Sequence, residues 1–103
     1  MTVHWLTYRI ADRRVAGRTY EYRYLALEDA IRARSTKWWL DPTSFILFES
    51  AEAALDIARA CREAIAPSHD MFLMRVLDRQ LAYICGAIED DDVFKLIPYL
   101  KKL

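Results

Sequence analysis

TYEYRYLALEDAIRARS, residues 19–35, admits two readings in its first half, and the architecture of the whole chain depends on which one holds. Tyr20, Tyr22 and Tyr24 alternate as on a strand, whereas Tyr20, Tyr24, Leu27 and Ile31 recur at the three- and four-residue spacing of a helix. Residues 27–33 have no period of two, and Glu28 precedes Arg32 by four residues, the order in which a charge pair supports a helix. The spacing predicts a helix over most of the segment; the alternative is a hairpin ending near Tyr24, followed by a shorter helix.

On the N-terminal side, VHWLTYRIA (residues 3–11) is rich in β-branched and aromatic residues, with Trp5, Thr7 and Arg9 alternating with Leu6, Tyr8 and Ile10, and it reads as the first strand. The polar loop over 12–19 turns at Gly17, which adopts positive φ without steric cost. On the C-terminal side, KWWL (37–40) and TSFILFE (43–49) are two β segments separated by Asp41-Pro42, because proline lacks the donor that a ladder needs. Ser50 suits a helix N-cap. The helix that follows, AEAALDIARACREAIA, has Ala54, Ile57, Ala58, Cys61 and Ile65 on one face, opposite Glu52, Asp56, Arg59 and Glu63, and Pro67 ends it.

MFLMRVL and LAYICGAI, joined by Asp78-Arg79-Gln80, predict a hairpin of antiparallel strands. Asp90, Asp91 and Asp92 open a last helix whose tail carries Lys101 and Lys102, a polarity that matches the helix dipole; Pro98 kinks or shortens it. The expected fold is α+β, a ferredoxin-like β-α-β-β-α-β sandwich with an extra C-terminal strand and helix. With 103 residues and no repeat, low-complexity tract or linker, residues 1–103 form one domain.

A hydrophobic fraction of 54% excludes the disordered class. No apolar run approaches the ~20 residues that span a bilayer, so no membrane association is expected. The first residues lack the pattern of a secretory signal, which places the expected location in the cytoplasm. Cys61 and Cys85 have no second pair with which to build a zinc or redox motif and are expected to be buried thiols. The net charge is zero, but residues 1–40 hold eight Lys and Arg against four acids, and the remainder reverses the balance. The basic half is suited to attract phosphate, or the two halves to attract each other.

Particular residues also resemble a known group: Leu6-Thr7-Tyr8-Arg9-Ile10 ending the first strand, the glycine loop leading to Tyr24, Leu27 and Ile31, the run from Trp38 to Phe45 (WWLDPTSF), and Asp70-Met71-Phe72-Leu73 opening a late strand. In these the chain resembles the CRISPR-associated protein two superfamily, and more closely its SinR-like bacterial branch. The resemblance implies a ferredoxin-like homodimer. Active metal-dependent nucleases of the superfamily carry Tyr-Asp-aliphatic at the end of the first strand, near the dimer mate. This chain has Tyr8-Arg9-Ile10, and a guanidinium does not bind a divalent cation.

Arg9, Arg13, Arg14 and Arg18 are candidate phosphate contacts to RNA or DNA, since guanidinium forks bind phosphate oxygens in pairs. Trp38 and Trp39 point to opposite sides of a strand, so at most one belongs in the core; both are candidates for a homodimer interface. Asp90–Asp92 are explained by helix capping, without metal. His4, His69, Ser44 and Ser50 sit in no nucleophile motif and are expected to be structural. The expected function is a non-catalytic homodimer acting in protein interaction or nucleic-acid association, without cofactor. The alternative is a CRISPR-associated type of metal-dependent endoribonuclease or deoxyribonuclease, or a toxin–antitoxin component, using magnesium or manganese with Asp12 replacing the missing strand aspartate.

Overall fold

The computed structural model describes all 103 residues. Strand β1 (Thr2–Arg9) leads through the basic loop to helix α1 (Tyr20–Arg32), then to strands β2 (Lys37–Trp39) and β3 (Phe45–Ser50) and helix α2 (Ala54–Ala64). Strands β4 (Met71–Val76) and β5 (Ala82–Gly86), helix α3 (Asp92–Leu96) and strand β6 (Leu100–Lys102) complete the chain. The architecture is α+β: one six-stranded sheet in the order β2-β3-β1-β4-β5-β6 with α1 and α2 against one face. All neighbouring strands pair antiparallel except β5 and β6, which are parallel.

The helical reading of residues 20–32 holds throughout. Thr19 caps α1 by accepting a hydrogen bond from the Tyr22 amide, and Glu28 pairs with Arg32 at 3.6 Å. Tyr20, Tyr24, Leu27 and Ile31 face the core, and Tyr22, the residue that made a strand plausible, points to solvent. On α2 the buried face is the expected one, Ala54, Ile57, Ala58 and Cys61, continuing to Ile65.

Three expectations need correction. Ser50 is the last residue of β3, and α2 starts later, with Ala53 at its N-cap; the Ser50 hydroxyl instead donates to the Arg34 carbonyl at 2.6 Å and accepts from the Glu52 amide. The last helix stops at Leu96, two residues before Pro98, and Lys101 and Lys102 lie on a strand. That strand exists because the outer edge of β5 offers unpaired backbone groups, which the chain meets by turning at Pro98. The segment 43–44 is not strand either: Ser44 has φ of 56°, with its amide donating to the Tyr24 hydroxyl.

Register divides the sheet into two unlike faces. Phe48, His4 and Val76 form one cross-strand row, Ile46, Leu6, Met74 and Tyr83 another, and both rows are buried beneath the helices. On the opposite face, a row runs across all six strands through Trp39, Leu47, Trp5, Arg75, Ala82 and Leu100. The C-terminal segment covers the β4–β5 side of this face, where Arg75 donates to the Tyr99 hydroxyl at 2.7 Å, and reaches the end of β1 through Arg9 and Ala87. No helix is long and apolar enough to cross a membrane.

Candidate functional site

The basic loop between β1 and α1 is held by a residue pair that composition alone does not reveal. Arg23 lies on the core-facing side of α1, and it and Asp70, just before β4, are fully buried. All five guanidinium protons are used: Nε and Nη2 donate to Asp70 at 2.8 and 3.2 Å, Nη2 also to the Ala11 carbonyl, and Nη1 to the carbonyls of Arg13 and Arg18. Asp70 additionally accepts from the amides of Ala11 and Ala66. Burial pushes its carboxyl up, but the hydrogen bonds from Arg23, Ala66 and Ala11 outweigh burial and hold it below the ordinary carboxylate range. The pair thus fixes both ends of the loop. An arginine on the apolar stripe of a helix, at the position between Tyr20 and Leu27, is the sequence signal that a buried acid must exist elsewhere.

Within the loop, Val15 and Arg18 exchange two backbone hydrogen bonds across Ala16 and Gly17, whose φ values are 52° and 75°. Two successive left-handed residues in a two-residue hairpin are the pattern of a type I′ turn. Arg18 reaches from the turn to the C-terminal end of α2, donating to the carbonyls of Glu63, Ala64 and Ile65 at 3.5, 3.2 and 3.0 Å. It satisfies acceptors that the helix leaves open.

The four predicted arginines therefore divide. Arg18 is spent on α2, and Arg9 donates to the Ala87 carbonyl at 2.7 Å with Glu89 at 3.7 Å. Arg13 and Arg14 project into solvent from a fixed backbone, Arg14 touching only the Gly17 carbonyl at 3.3 Å. Asp12 is exposed beside them.

Trp38 and Trp39 point to opposite sides of β2, and neither enters the core: they are 43% and 47% exposed. Trp39 meets Phe45 edge-on at 6.4 Å, and Phe45 stacks on Trp5 at 6.2 Å. Beside them a groove of about 360 Å³ has Val3, Leu47 and Trp39 in its walls and Lys37 and Glu49 at its margin. The sheet face opposite the helices thus carries a connected aromatic and aliphatic surface.

The remaining candidates have structural surroundings. Cys61 and Cys85 are buried, and burial pushes the Cys61 thiol up to about 12. Asp90 accepts from the Asp92 amide, and Asp92 pairs with Lys95. No group of three or more His, Cys, Asp or Glu side chains converges within the chain. His69 is exposed and contacts Ser68. His4 is 1% exposed, stacks on Phe48 at 4.9 Å, and neither of its ring nitrogens has a hydrogen-bond partner. Burial, followed by the Arg79 charge, lowers its pKa against the smaller opposing effect of Asp78. In comparison with known proteins, the chain matches no family model, no curated protein and no solved structure.

Proposed function

We propose that this chain is a non-catalytic homodimer with the ferredoxin-like arrangement, associating with nucleic acid through the loop between β1 and α1. The order β2-β3-β1-β4, with both helices on one face, supports that arrangement for the first four strands, and β5, α3 and β6 extend it. It also supports the resemblance to the CRISPR-associated protein two superfamily and its SinR-like branch.

The observation that carries the dimer is the sheet face bearing Trp39, Phe45, Trp5 and Leu47. It lies opposite the helices, and the C-terminal segment packs against the β4–β5 side and the end of β1. Contiguous apolar surface of this kind marks partner contact, because its removal from water is favourable by roughly 25 cal/mol per Å². A second copy presents the same surface, so a two-fold contact is self-complementary. Light scattering at micromolar concentration is expected to give twice the chain mass, and Leu47→Glu to return the monomer. A wild-type monomer under those conditions overturns the dimer.

Nucleic-acid association rests on Arg13 and Arg14, which have no carboxylate within 4.0 Å and stand on a backbone anchored by the Arg23–Asp70 pair. Arginines on an already ordered backbone bind phosphate at lower entropic cost than those on a mobile loop. Labelled single-stranded RNA and duplex DNA are expected to bind with an affinity that falls steeply with salt, and Arg13→Ala/Arg14→Ala to flatten that dependence. Absence of binding at low salt removes this part of the reading. Magnesium- or manganese-dependent cleavage that disappears in Asp12→Ala replaces it with the nuclease alternative.

A further inference from the structure

The cationic surface does not stop at the loop. Arg59, Arg62 and Glu63 occupy one side of α2 at i, i+3 and i+4, and with Pro67 they line a depression of about 430 Å³. Arg62 has no carboxylate within 4.0 Å, and Arg59 has only Asp56 at that limit, in an exposed pair that contributes little attraction. Arg18 places the 15–18 turn against this end of α2, since the carbonyl of Glu63, a residue of the depression, is one of its acceptors. The same guanidinium covers the negative end of the helix dipole, which would otherwise oppose an approaching anion.

We propose that Arg59 and Arg62 form a second phosphate subsite, continuous with Arg13 and Arg14, so that a nucleic-acid backbone tracks from the β1–α1 loop across the C-terminal end of α2. The proposal rests on the nucleic-acid reading above and extends it to an element on which no functional residue was predicted. Glu63 at the margin offsets one of the two charges, which makes the subsite one for a passing backbone and not for a tightly held free phosphate.

The test is the salt dependence of binding to a labelled single-stranded RNA, compared among wild type, Arg59→Ala/Arg62→Ala, Arg13→Ala/Arg14→Ala and Arg59→Lys/Arg62→Lys. Loss of two phosphate contacts should lower the slope of log K against log salt by about 1.4, and the lysine variant should restore most of it. All four arginines are surface groups, so a melting curve checks that each variant remains folded. Failure of the wild type to bind ends both the reading and the subsite. Binding that weakens in the loop variant while Arg59→Ala/Arg62→Ala keeps the wild-type slope ends the subsite alone. A slope lowered in both pairs, with unchanged melting, establishes the continuous track.

Discussion

His4 is the one buried side chain whose polar atoms have no partner, and the cost is bearable only while the ring is neutral. Its pKa is lowered in the fold, against about 6.5 in an unfolded chain. Above that value both states are neutral and the fold is at full stability. As pH falls through about 6.5 the unfolded chain takes up a proton first, and stability is lost at up to about 1.4 kcal/mol per pH unit until the folded His4 also titrates. Thermal melting from pH 7 to 5 is expected to show this decline, and His4→Phe, which keeps the stack on Phe48, to abolish it. An equal decline in both proteins would assign it to other groups. Asp70 has a dependence of the same sign in a more acidic range: its depressed pKa contributes stability above about 3.9 that disappears under stronger acid.

At the scale of elements, the Arg23–Asp70 pair joins α1, the basic loop and the connection into β4, three pieces with no other common contact of this kind. Removing one partner leaves a buried charge alone, so Asp70→Asn is expected to cost about 4 kcal/mol in denaturant unfolding. Hydrogen exchange at Ala11 and Ala66, whose amides donate to that carboxylate, is expected to accelerate in the variant. Unchanged stability would mean that the carbonyl contacts of Arg23 suffice without the acid. Gly86 completes this corner: its φ is 107°, and a Cβ there would lie 2.0 Å from the Asp70 carbonyl oxygen, so that strand β5 approaches the pair only through glycine.

The same elements show what the chain pattern conveys. The buried faces of α1 and α2 and the β4–β5 hairpin were legible, because periodicity records which side of an element leaves water. The start of α2 was not: Ser50 has the chemistry of a cap but serves a carbonyl 16 residues earlier, a contact created by tertiary structure. Strand β6 was equally hidden, since three residues carry no measurable period and its pairing partner lies across a turn. The division among the arginines, with Arg9 and Arg18 tied to backbone carbonyls and Arg13 and Arg14 projecting into solvent, Arg14 touching only Gly17, also depends on partners distant along the chain.

For the whole molecule, the proposed self-association through the sheet face would couple stability to concentration. Two-state melting of a dimer should move upward as protein concentration rises, by mass action, while Leu47→Glu should melt at a temperature independent of concentration. The zero net charge gives no long-range repulsion to oppose such contact. The apolar row lies on the sheet and the projecting arginines arise from the loop and from α2, so the two proposed contacts would use separate surfaces.

The two border strands, β2 and β6, are each three residues long. A border this short offers an incoming chain only a few backbone hydrogen bonds, and lysines stand on both, Lys37 on one and Lys101 and Lys102 on the other. Sideways growth of the sheet into fibrils is thereby starved of a template. In the proposed dimer, contact through the broad face closes after two copies, so that tryptophan on that face would not lead to polymerisation.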